Sequence, residues 1–269
     1  MQNEYSNPDS FNENNSEIEL SHTDKLVGVI SEPSKTFESI SKFPVRTIDW
    51  LVPFLLLMIL AGIIRSLAML NPDILYETKK QQIEMFDKMV KEGKMTQEQA
   101  DKAIEGSEKS MEFMTKPVGW IINIISSIVF GFTFLFLIAG IYFLFTKFIL
   151  KGEGTYQHVL VANGLTSYIS MIQVIIAGML SLLLGKIVMD TSVANLFEFE
   201  KGTLVRFFAS KIDPLSIWAY SVLAIGLAKL NKAQNSKPYF ILVFALWILG
   251  GLLFFYLGKV FPFFGGFGG

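Results

Sequence analysis

A chain of 269 residues, 51% hydrophobic and only 17% Asp, Glu, Lys or Arg, carries too little charge for an ordinary soluble surface. Its formal net charge of −1 supplies no field for nucleic acid, so no nucleic-acid partner is expected. Cysteine is absent, which removes disulfides, thiol catalysis and cysteine metal sites together.

Residues 1–24 hold Glu4, Asp9, Glu13, Glu17, Glu19 and Asp24 and no Lys or Arg, which predicts a disordered acidic tail. A secretory signal would need a basic start and an apolar run, and neither occurs here. Residues 25–46 change character: Lys25, Lys35, Lys42 and Arg46 outnumber Glu32 and Glu38, while Phe37, Ile40 and Phe43 recur every three residues. Pro33 suits the first turn of a helix. The pattern fits an amphipathic segment lying flat in the headgroup region, or a linker helix packed on a bundle.

The apolar segments follow. Val118 to Thr146 runs 29 residues without a charge, and Val159 to Gly185 runs 27. Either exceeds the roughly 20 residues that cross a bilayer. Span one is expected from about residue 48 to 70, with Trp50 at its entrance and Asn71-Pro72 ending it. Residues 73–116 then carry ten acids and eight lysines. Ile83, Phe86, Met89 and Val90 recur at helical spacing, Gly93 can cap, and Thr96 with Gln99 reads as a capping box. A helical hairpin outside the bilayer is expected there. Span two covers 118–146 and span three 159–188. Span four, from Pro214, has only fifteen uncharged residues. At about 22 Å it must thin the bilayer, extend to Leu230 or be shielded by neighbours. Span five covers Tyr239 to Leu257, and the aromatic, glycine-rich tail 261–269 is expected at the interface.

The expected fold is an all-α polytopic membrane bundle of five transmembrane helices within residues 47–260, plus the extramembrane hairpin between the first two. Five spans place the termini on opposite faces. Basic residues in the short loops favour a cytoplasmic N-terminus and an outside C-terminus.

Few residues point to chemistry. No Asp or Glu lies deep in a predicted span, where coupled transporters place them. His22 and His158 fall in the tail and at a membrane edge, so no metal centre is expected. No phosphate-cradling loop, zinc-hydrolase helix or serine elbow occurs, so no catalytic residue or cofactor is assigned. Gly152-Glu153-Gly154 reads as a turn. Arg65 lies about 8 Å before the end of span one; it either snorkels to headgroups or binds a lipid phosphate or partner carboxylate. Lys35, Lys42 and Arg46 are further candidate contacts for lipid or partner. Asn123, Asn163 and Gln173 are neutral polar groups suited to joining helices. Ser127 and Gly131, Ala177, Ser181 and Gly185, and Ala224 and Ala228 repeat at spacings of four, a pattern for close helix packing within the chain or with a second copy.

Three segments resemble the Yip-domain family of Rab/Ypt-interacting membrane proteins. They are Pro33-Ser34-Lys35-Thr36-Phe37, Gly154 through Tyr168, and Asp213-Pro214-Leu215-Ser216-Ile217-Trp218 through Ala228. Ile169 and Ser170 follow Tyr168 where the family often has proline, and 73–116 looks like an insertion. The resemblance implies a non-enzymatic multi-pass protein that organises membrane or binds lipids or protein partners. In eukaryotic relatives it implies Rab binding and vesicle traffic; the short loops and lysine-rich insert are more similar to a bacterial inner-membrane member. The rival reading is a permease or channel component lined by Arg65, Asn123, Asn163 or Gln173. A membrane enzyme ranks third.

Overall fold

A computed structural model describes residues 19–197, 199–200 and 202–260. Most of the expected leader and the whole tail 261–269 lie outside that range. The described residues form eleven α-helices and one π-turn, with no strand among them.

The leader ends sooner than its composition suggests. Helix α1 spans His22–Ser31, and Ser21 caps it in a reciprocal box with Asp24. The acidic residue thus serves a helix N-terminus rather than a solvated tail. Glu32-Pro33 breaks the chain, because proline cannot continue α1 but starts α2, Pro33–Ile40. The expected single amphipathic segment is therefore two short helices. Phe37 and Ile40 are buried, and their apolar stripe faces the protein rather than lipid.

Four helices are long and apolar enough to cross a membrane: α3 (Ile48–Ala68), α6 with its π-turn (Pro117–Ile149), α7 (Tyr156–Leu184) and α11 (Lys237–Val260). The fifth apolar helix, α10 (Pro214–Leu230), has 17 residues and falls short of that length. Asn71 caps α4 (Pro72–Lys91) through its side-chain oxygen, and Thr96 caps α5 (Gln97–Met114) with Gln99. These two helices pack antiparallel through Lys79 with Glu108 and Gln82 with Ser107. Short helices α8 (Val193–Leu196) and α9 (Leu204–Lys211) connect α7 to α10.

The core is built on α7. Its Gly164 and Gly178 lie against α3: a Cβ on Gly164 would sit 2.3 Å from Trp50 Cα, and one on Gly178 2.6 Å from Ile64 Cγ2. Fourteen residues separate the glycines and fourteen separate their partners, close to four helical turns. Helices α3 and α7 therefore run parallel in contact. Helix α6 crosses α3 the other way, with Gly62 against Ile124 and Gly131 against Met58. Asn123 fixes that pair by donating to Gly62 O at 3.2 Å and Ser66 Oγ at 2.9 Å. Helix α10 closes the bundle on α7 with Ala224 and Ala228 fully buried.

Candidate functional site

The helices alternate direction, so the ends of the bundle collect different segments. One end gathers α1–α2, the turn after α6, the start of α7 and the turn after α10. Three contacts fix this arrangement. Phe37 of α2 lies on Gly226 of α10, where a Cβ would come 2.8 Å from its ring. Lys229 of α10 reaches Glu38 at 2.6 Å. Asn231 clasps the turn after α6, accepting from Gly154 N at 3.0 Å through its side chain and from Glu153 N at 3.3 Å through its carbonyl. Side chains at Gly152 and Gly154 would collide with the Asn231 amide, which explains the glycines of that turn.

A buried charge network ties α1 to the bundle. Lys25 and Asp49 are each 2% exposed, and Lys25 Nζ lies 2.7 Å from Asp49 Oδ2. Glu19 bridges outward: its Oε1 is 3.3 Å from Lys25 and its Oε2 is 2.9 Å from Arg46 Nη2. On the other side, His22 Nε2 pairs with the Tyr168 hydroxyl of α7 at 2.6 Å, while Nδ1 sits 3.7 Å from Asp49 Oδ1. A buried ion pair holds best when further hydrogen bonds and charges support both partners, and here Glu19 supports Lys25 directly, His22 lies beside Asp49, and Arg46 and Tyr168 hold those two in turn. Asp49 also occupies the first turn of α3, where the helix dipole favours a carboxylate. Lys25 is thus no headgroup-facing charge, and His22 is part of the bundle, contrary to expectation.

Signals for this cluster exist in the sequence. Glu19, His22 and Lys25 are spaced by three, one face of a helix, and Asp49 is the one acid in the first span. Reading 1–24 as a tail hid the first two.

Around the network this end presents exposed lysine and arginine. Lys35, Lys42, Arg46, Lys147, Lys151, Lys232 and Lys237 are all exposed. Lys35 pairs with Glu32 and Arg46 with Glu19, and both remain more than half exposed. Of the candidate contact residues, Lys35, Lys42 and Arg46 come together here, whereas Arg65 is exposed near the opposite end of α3. Lys229 holds the Glu38 carboxyl below the usual range, first through the hydrogen bond and then through its charge, with Lys42 adding less. A lowered carboxylate pKa means the tie is present at neutral pH and fades only as pH falls through that lowered value. Lys229→Met should move the Glu38 midpoint up toward its ordinary 4.5 in a carboxyl-carbon NMR titration. A midpoint indifferent to that change would show the contact to be idle.

The intramembrane polar groups bond within the chain. Asn163 donates to Val159 O in its own helix at 2.8 Å. Gln173 donates to Asp213 Oδ2 at 2.5 Å and Ser216 Oγ at 2.9 Å. Asp213, fully buried, also accepts from Thr191 Oγ1 at 2.5 Å and from Leu215 N at 3.2 Å. Among the small residues, Gly131, Ala177, Ser181, Ala224 and Ala228 are buried and Ser127 is half-buried. Gly185 ends α7 in the left-handed conformation, φ 61°, where an added Cβ would lie 3.3 Å from Asp73 Cβ in the first turn of α4. Gly164 and Gly178, which make the closest approaches of α7 to α3, stand outside the four-residue spacing. No cluster of three or more metal-holding side chains occurs among the described residues.

The family model described as Yip1 domain matches residues 27–257, most of the chain. Neither the curated proteins nor the solved structures give a match.

Proposed function

We propose a function from one premise: this chain belongs to the Yip1 domain family. It is an integral membrane protein. Its role, in this reading, is non-enzymatic: a multi-pass bundle that organises the membrane or binds lipids and protein partners at its basic end. The carrying observation is that three separate chain segments deliver exposed Lys and Arg to one end, around a docked pair of helices. Such a surface suits anionic headgroups or an acidic partner, each nearby cation contributing about 1 kcal/mol toward an anionic leaflet. In this reading the same charge bias favours a cytoplasmic position for this end, with the N-terminus inside and α11 ending outside. Helices α4 and α5 would then stand outside the bilayer on the far face. In this reading the short loops and the lysine-rich insert favour a bacterial cytoplasmic membrane as its location.

The rival permease reading has less support. Asn123, Asn163 and Gln173 bond to their own chain, acting as joints between or within helices, and Arg65, between the Asn123 partners Gly62 and Ser66, is exposed.

The test is charge reversal of Lys35, Lys42 and Arg46 to Glu in the full chain, all at exposed positions. Native mass spectrometry from mild detergent should show loss of retained anionic lipid or of a co-purifying protein. Retention of both at wild-type levels would overturn the proposal.

A further inference from the structure

Helix α10 is too short for the bundle it belongs to. One of its ends matches the start of α7, because Asn231 clasps Gly154 just before Tyr156. Its other end stops far inside. The N-cap Asp213 hydrogen-bonds Gln173, which lies 11 residues (184 − 173) before the end of α7. At ~1.5 Å per residue, α7 continues about 16 Å beyond the start of α10. The described residues between α7 and α10 (186–197, 199–200 and 202–213) occupy that level.

Helix α9 shows how they do so. Phe207 packs on Phe255 of α11 at 5.6 Å, and Lys211 Nζ lies 5.5 Å from the Trp247 ring. Trp247 is 13 residues (260 − 247) before the end of α11, roughly 20 Å. Helix α9 therefore descends beside a span. At that depth Met189, Phe197, Val205, Phe208 and Ile212 are 51–74% exposed. Soluble proteins rarely leave such a patch to water. The surface joins that of α11, whose Leu249, Leu253 and Tyr256 are also exposed.

Irregular backbone is tolerated at membrane depth only when its polar groups are satisfied within protein. Here Val193 N donates to Ile212 O at 3.0 Å, Ser192 N and the Asn195 amide donate to Asp190 at 2.9 and 2.6 Å, and Arg206 donates to Ala194 O at 3.1 Å. Lys211 lies over the Phe207 ring at 4.8 Å, a fitting place for a desolvated cation. Exposed Glu200 sits at the outer end of α9, where its carbonyl accepts from the N-cap Thr203 hydroxyl at 2.8 Å.

We propose that the described residues between α7 and α10 (186–197, 199–200 and 202–213) form a re-entrant segment seated in one leaflet, with α9 and its flanks facing lipid acyl chains. It fills the leaflet thickness that α10 leaves uncovered. Because the chain has no cysteine, single Cys labels can be placed at exposed Glu200, Val205, Phe208 and Ile212, with Asn235 as the aqueous reference. The full-length protein is spin-labelled in nanodiscs at one copy per disc. Relative to Asn235, the ratio of oxygen to nickel-chelate collisions should rise several-fold at Val205, Phe208 and Ile212. It should rise in that order, with Glu200 lowest. Nickel collisions at these three sites equal to those at Asn235 would overturn the proposal. So would exclusion of both reagents, which would mean that protein covers the patch.

Discussion

Replacing Lys25 with Met should destabilise the protein by about 3–5 kcal/mol, the usual cost of stripping one partner from a buried ion pair. The change leaves the Asp49 carboxylate 2% exposed, with no ammonium at 2.7 Å and only the His22 edge at 3.7 Å. Met matches the length of the lysine stem, so packing is largely kept and the lost charge dominates. Asp49→Leu should cost a similar amount by stranding Lys25 between Glu19 and an apolar neighbour. The double variant Lys25→Met/Asp49→Leu should recover most of the loss, since a buried pair replaced by apolar groups is often neutral. The coupling, read from a double-mutant cycle of thermal unfolding in detergent, should therefore be large and favourable. Limited trypsin digestion adds location: the single variants should become cleavable at Lys35 and Lys42 before the spans respond, as α1–α2 undock. If Lys25→Met unfolds within about 0.5 kcal/mol of wild type, the network does not hold the N-terminal helices.

This network also marks the limit of what could be read from the residues. Long apolar runs announced α3, α6, α7 and α11, because hydropathy depends on local composition and hydrocarbon admits little else. The caps at Gly93 and Thr96 follow the same local logic. Contacts between distant segments do not. Asp49 and Lys25 are 24 residues apart, and Tyr168 is 146 residues from His22. Neither spacing carries a periodic signal. The depth of α10 was illegible for the same reason: the bonds from Gln173 to Asp213 and Ser216 show where it starts. Small residues were a partial guide. Spacing of four picked out buried Ala177 and Ser181 yet passed over Gly164 and Gly178, because the parallel contact of α3 and α7 repeats at fourteen.

That contact yields the second large effect. Gly164→Ala should destabilise by about 3 kcal/mol, the upper part of the overpacking range, because what stands in the way is backbone. The new Cβ would fall 2.3 Å from Trp50 Cα and 2.7 Å from Trp50 O, and neither atom can rotate aside. Helices α3 and α7 must separate, and Trp50, held edge-on by Phe132 and Phe136, must move with α3. Gly178→Ala meets only the Ile64 side chain at 2.6 Å, which can adopt another rotamer, so about 1 kcal/mol is expected. Gly140 on α6 has nothing within 4 Å of its would-be Cβ. There alanine should be neutral or stabilise by up to about 1 kcal/mol through helix propensity. The three substitutions add the same methyl group to two apolar helices, so any general effect of alanine cancels in the comparison. The order of unfolding temperatures, Gly140→Ala highest and Gly164→Ala lowest, isolates the closeness of the α3–α7 backbone approach. A Gly164→Ala protein as stable as Gly140→Ala would mean that the two helices do not touch at Trp50, and the parallel pairing around which the bundle is built would be wrong.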